Sequence, residues 1–245
     1  MRALSLVSAT VLSLSLAAVA GAQPAGFVLI TETPAGSATA TATARHFTVF
    51  HGRALEPSAA TTIGFGRLAV VTSSNTWAGP QSQSPGGHIE WQWRLLEQRR
   101  VSLTIGSGVR RERDGAEFLI ARATAATSLG ASRLVGHVTM EQSRSAGRDR
   151  LDLVTAAGWT RPVSRTLRVG AEAIGEDLEG LWDPHEADGG ARLFAGPSVE
   201  FHASQRTVGR VTAGTDLRGS GAGSMSTPGQ MRVGLAMRAT VTVGF

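Results

Sequence analysis

Six carboxylates fall within 15 residues where the chain reads Glu176-Asp177-Leu178-Glu179-Gly180-Leu181-Trp182-Asp183-Pro184-His185-Glu186-Ala187-Asp188-Gly189-Gly190. Oxygen donors at this density can hold a hard cation such as Ca²⁺, so Asp177, Glu179, Asp183, Glu186 and Asp188 are candidate metal ligands. Their spacing is not that of an EF-hand loop, and a solvated acidic loop is the plainer reading. A second cluster, His202-Ala203-Ser204, sets a base two residues from a hydroxyl. Hydrolysis would need the His to take the Ser proton and a third group to orient the His. No such residue stands beside this pair, so no catalytic residue is assigned. With no Cys in the chain, thiolate metal sites, disulfides and Cys nucleophiles are excluded.

The remaining charges recur with a period of two. In His88-Ile89-Glu90-Trp91-Gln92-Trp93-Arg94-Leu95, the apolar residues Ile89, Trp91, Trp93 and Leu95 share one face and the polar residues the other. A strand places alternate residues on opposite faces, whereas a helix would scatter these charges around its cylinder. After a short turn at residues 97–100, the pattern resumes with Val101, Leu103, Ile105 and Val109 on the apolar face. Further alternating strands are predicted at roughly 60–74, 116–126, 133–142, 150–159, 166–176, 191–202, 207–217 and 231–245, ten in all.

The connections alternate in length. Residues 97–100, 127–132, 160–165 and 203–206 are short, while 74–86, 111–115, 143–149, 177–190 and 218–230 are mostly longer and richer in Gly, Ser and Pro. Two-faced strands with alternating short and long connections are the pattern of an antiparallel up-and-down transmembrane β-barrel. A bilayer accounts for the strand length, since about 9 to 11 tilted residues cross its hydrocarbon core. It also requires closure, because an open sheet edge in lipid leaves backbone groups unpaired.

The last strand has the most specific pattern. Val233, Leu235, Met237, Ala239, Val241, Val243 and Phe245 alternate with Arg232, Gly234, Ala236, Arg238, Thr240, Thr242 and Gly244 up to the final residue. This resembles the closing strand of bacterial outer-membrane β-barrel proteins, which end in Phe after alternating apolar residues. The resemblance implies insertion by the barrel-assembly machinery, with Val241, Val243 and Phe245 as the assembly signal. It also implies contact with outer-membrane lipid and lipopolysaccharide. The His202-x-Ser204 pair in turn looks like the His-x-Ser arrangement of outer-membrane lipid A deacylases. Ser204, however, falls in a short turn, far from the leaflet where that family works.

The first 22 residues read as a secretory signal. Arg2 is followed by the apolar run Ala3 to Val19, and Ala20-Gly21-Ala22 supplies small residues for cleavage before Gln23. Residues 23–245 are then a single barrel domain, exported through the Sec pathway to the bacterial outer membrane. An even number of crossings is required when both termini lie on the periplasmic side. Residues 27–33 and 39–51 can add a hairpin, for an expected twelve strands; ten strands plus an N-terminal arm is the alternative. Trp91, Trp93, Trp159, Phe201 and Phe245 are candidates for the interfacial aromatic belt, in a chain without Tyr.

With the apolar face toward lipid, the lumen receives His88, Glu90, Arg94, Arg110, His137, Glu141, Asp152, Arg168, Glu172, Arg192, Glu200, His202, Arg210, Asp216, Arg232 and Arg238. Buried charges must be paired, so the expectation is an ion-pair network that fills a narrow barrel, or a small pore whose Arg excess favours anions. All 24 basic residues are Arg and the formal net charge is +5. They form no contiguous run, and no nucleic-acid partner is expected. The leading function is thus a non-enzymatic outer-membrane barrel, either plugged and structural or a narrow small-solute pore. Alternatives are an enzyme acting on lipid or peptide at the extracellular rim, or a soluble periplasmic β-sandwich.

Overall fold

In the computed structural model, the described residues are 38–49, 52–65, 67–75, 86–98, 100–111, 117–144, 151–178, 191–219 and 231–244. They form twelve strands: β1 (Ala38–Val49), β2 (Gly52–Phe65), β3 (Leu68–Asn75), β4 (Gly86–Glu97), β5 (Val101–Arg111), β6 (Glu117–Leu129), β7 (Ser132–Ser143), β8 (Asp152–Pro162), β9 (Leu167–Glu176), β10 (Arg192–His202), β11 (Thr207–Gly219) and β12 (Met231–Gly244). Each strand pairs with its neighbours in sequence, and β1 pairs antiparallel with β12 to close the barrel. Closure leaves no ladder edge, which is what a sheet surrounded by lipid requires.

The expected count of twelve holds, but its first hairpin is placed differently. Residues 60–74, read above as one strand, are the end of β2 and most of β3, joined by a tight turn in which Phe65 pairs with Leu68. The segment 39–51 corresponds to β1, whose ladder partners are β2 and β12, while residues 27–33 lie outside the described residues. The two-residue turn shifts the inside-outside phase, with Ile63 exposed before it and Leu68 after it, and a single strand over 60–74 runs across that shift.

Elsewhere the short connections are as expected. The β6–β7 turn has Gly130 at φ 61°, a conformation that costs an L side chain but not Gly, and Leu129 pairs directly with Ser132 across it. The β4–β5 ladder shifts register between Arg94 and Leu96, a bulge that carries Leu95 out of the pairing.

The two faces of the wall differ as the alternation requires. Ile89, Trp91, Trp93, Ile105, Val109, Val138, Met140, Val199, Phe201, Val211, Leu235, Met237 and Val241 are exposed on the outside. The buried residues, by contrast, include Glu90, Arg110, His137, Glu141, Glu172, Glu200, Asp216 and Arg238. Polar groups inside and large apolar groups outside invert the arrangement of a water-soluble domain. This removes the β-sandwich alternative, whose apolar face would be buried.

Of the belt candidates, Trp93, Trp159 and Phe201 are exposed toward the ends of their strands nearest the short turns, while Trp91 is exposed near the middle of β4. Phe245 lies outside the described residues.

Candidate functional site

The charged residues of the lumen assemble into discrete clusters. On β4, Glu90 is fully buried; His88 Nε2 lies 3.1 Å and Arg122 Nη2 of β6 3.2 Å from its Oε2, and Gln92 Nε2 donates to Oε1 at 2.9 Å. Room for this carboxylate comes from β5, where Gly108 is paired with Glu90. A Cβ at Gly108 would strike the Ile89 carbonyl and the Glu90 Cα, and one at Gly106 would meet the Glu90 carboxylate itself.

Near the long-connection end, Arg110 Nη2 donates to Glu141 Oε2 at 2.6 Å, and its guanidinium lies over the Phe118 ring, 4.1 Å from the centroid. A charge-assisted bond and a cation–π contact thus hold the same group. In the same half of the barrel, Asp216 is held between Arg192 Nε at 3.0 Å and Arg218 Nε at 2.9 Å. Toward the short-turn end, Glu200 accepts from Arg210, has Arg168 Nε at 3.6 Å, and lies 2.8 Å from His202 Nε2. Arg94, near the same end, pairs with Glu97 at 2.8 Å.

A further contact reaches over two intervening strands. Arg238 Nη1 of β12 is 3.9 Å from Glu172 Oε1 of β9, with both side chains buried. Beneath them, Gly196 and Gly214 bring the backbones of β10 and β11 into direct contact. A Cβ at either glycine would strike the backbone of the other strand. His137, the remaining titratable group at this level, is buried on β7.

Most of the expected lumen set therefore faces inward. Arg232 stands opposite Arg218 in the ladder, and its side chain is not among those described. Arg122 is a lumen residue that the sequence reading missed. Its strand mixes Phe118, Ile120 and Arg122 on the inner face, so the apolar-out rule is ambiguous there. Phe118, Ile120, Val154, Ile174 and Phe194 are buried inside as well, so part of the inner wall is apolar. A lumen this narrow must be packed as well as neutralised.

Access differs along the axis. The Arg168, Arg210 and His202 side chains are 28%, 24% and 35% exposed, whereas those of Glu172 and Arg238 are 2% and 3%. Water thus reaches the charged side chains toward the short turns, and those at mid-height are buried.

The other motifs do not converge into a reaction centre. His202 is committed to Glu200, and Ser204 Oγ accepts the Arg206 amide of its own turn at 3.1 Å. No His–Ser hydrogen bond forms between them among the described residues. Of the proposed metal ligands, only Asp177 is described. It has φ 44° and accepts the Leu153 amide on Oδ1 at 3.2 Å, while Glu179, Asp183, Glu186 and Asp188 lie outside the described residues. Of the residues expected to form an assembly signal, Val241 and Val243 pair with Gly209 and Thr207 of β11 and with Ala42 and Ala40 of β1, so they sit on the strand that closes the barrel.

No protein-family model matches the chain, and no curated protein is detectably similar in sequence. Solved structures do match. NanC porin is similar over 83% of this chain and 98% of its own, with a TM-score of 0.59 at 10% identity. A KdgM porin in complex with disordered oligogalacturonate matches over 84% and 99%, with a TM-score of 0.58 at 9% identity. At such identities the likeness shows the fold, which is that of bacterial outer-membrane β-barrel proteins.

Proposed function

We propose that this chain is an outer-membrane barrel serving as a narrow channel for small solutes, with a lumen chemistry that favours anions. The observation that carries this reading is the water-accessible set of Arg168, Arg210 and His202 around one carboxylate, Glu200, at the open end of the lumen. Cations outnumber the acid they surround, so the mouth concentrates anions. Kinship of fold with small porins supports the reading. In this orientation the short turns face the periplasm, and the ends of β9 and β10 that the acidic stretch 177–190 joins face the lipopolysaccharide side.

The burial of Glu90, Glu172 and Arg238 favours a second reading, a plugged barrel with a structural or surface-contact role. Planar-bilayer recording of the refolded protein separates the two. Stable single-channel steps with a chloride-directed reversal potential are expected for the channel, and a silent but correctly folded barrel overturns it. The His202–Ser204 pair gives the enzyme alternative no support, because each residue is engaged elsewhere.

A further inference from the structure

The barrel has a second charge asymmetry, on its outer rim. Arg67 lies in the β2–β3 turn, Arg100 in the β4–β5 turn, Arg161 and Arg165 at the β8–β9 turn, and Arg206 in the β10–β11 turn, and all are exposed. None of them forms an ion pair among the described residues. The carboxylates at this end are already committed, Glu97 to Arg94 and Glu200 to Arg210 inside the lumen.

The height of this collar is set by the backbone. The carbonyls of Arg67, Arg100 and Arg206 accept the amides of Arg94, Ser128 and Gly244 at 2.8, 2.8 and 2.7 Å, and Thr166 accepts that of His202 at 2.8 Å. Each guanidinium therefore hangs from a turn tied into the ladder. Three of them also adjoin exposed apolar wall: Leu68 follows Arg67, Val101 follows Arg100, and Trp159 and Val163 flank Arg161. An Arg whose neighbours face hydrocarbon reaches with its head to the polar boundary.

We propose that Arg67, Arg100, Arg161, Arg165 and Arg206 form a collar that binds the phosphates of anionic phospholipids in the leaflet surrounding the short-turn end. The inference rests on the reading of the chain as a membrane barrel. Charge complementarity identifies the occupant. The collar arginines carry positive charge that no ion pair among the described residues offsets, and each such Arg near a charged membrane surface contributes attraction. Guanidinium also matches phosphate oxygens in a bidentate fork.

The test uses the full-length barrel in phosphatidylcholine vesicles containing a trace of spin-labelled phosphatidylglycerol or spin-labelled phosphatidylcholine. Electron spin resonance measures the fraction of each label that the protein wall restrains. The expected result is a preference for phosphatidylglycerol of roughly threefold at low salt, shrinking as salt screens it. That preference disappears in the variant R67Q/R100Q/R161Q/R165Q/R206Q and persists in R111Q/R144Q, which removes exposed arginines from the opposite end. A restrained population of both labels without preference in the unmodified protein overturns the collar and leaves the membrane barrel standing. If neither label is restrained, there is no lipid-facing wall and the membrane reading itself fails.

Discussion

Arg238 of β12 and Glu172 of β9 face one another across the lumen, Nη1 to Oε1 at 3.9 Å, although β10 and β11 separate their strands in the wall. Among the described residues, neither Glu172 oxygen nor either Arg238 Nη atom has a hydrogen-bond partner, so their mutual charge is what offsets the cost of burying them there. The pair links strands three positions apart in the wall, at mid-height.

Removing one partner should therefore be far worse than removing both. Glu172→Gln leaves Arg238 as an uncompensated buried charge and is expected to cost about 3 kcal/mol, whereas E172L/R238M should regain most of that loss. Guanidinium unfolding of the detergent-folded barrel measures both. Additive losses would show that the two residues do not interact.

The Glu90 cluster depends on absent side chains. At Gly108 a Cβ would collide with the backbone of β4, whereas at Gly87 nothing lies within 4 Å. Gly108→Ala is expected to destabilise by about 1–3 kcal/mol and Gly87→Ala to be nearly neutral. The readout is the temperature at which the folded band is lost in heat-modifiability gels. Equal behaviour of the two variants would contradict the packing described.

At the open mouth, Glu200 holds down the charge of Arg168, Arg210 and His202. In the channel reading, Glu200→Gln should raise anion over cation permeability roughly twofold, and Arg210→Gln should lower it. Reversal potentials across a KCl gradient decide the sign. A shift in the same direction for both variants would argue against this ring as the selective element.

The outer wall provides a test of the bilayer itself. Val211 on β11 pairs with Val199 and Ala239 in an outward-facing row and is exposed. Val211→Arg is expected to cost about 2–4 kcal/mol if the site is near the bilayer midplane. Unfolding of the barrel from lipid vesicles measures this cost. A change of only a few tenths of a kcal/mol would mean that water, not lipid, covers this face.

Much of the architecture was legible because the strand period of two is local. His88 to Leu95 reveals both faces of β4 within eight residues, and the same alternation places Glu141, Glu172, Glu200 and Asp216 inside. The pattern was harder to read where it was mixed or reversed. Arg122 escaped notice because Phe118 and Ile120 share its inner face. The β2–β3 hairpin merged into one strand because Phe65 and Leu68 pair across two residues. The His202-x-Ser204 spacing suggested chemistry that the turn does not provide, since Ser204 bonds its own backbone.

The chain alone thus determined that the molecule is an antiparallel barrel with a charged interior and an apolar exterior, because each strand carries both faces in its own alternation. Only the closed structure decided which charges meet. Glu90 with Arg122, Arg110 with Glu141, and Glu172 with Arg238 come together from strands that are not adjacent in the wall. Their contact depends on the curvature of the closed sheet, on the glycines that let β10 and β11 approach, and on side chains reaching across the interior. Those are properties of a ring of strands and leave no trace in any one of them.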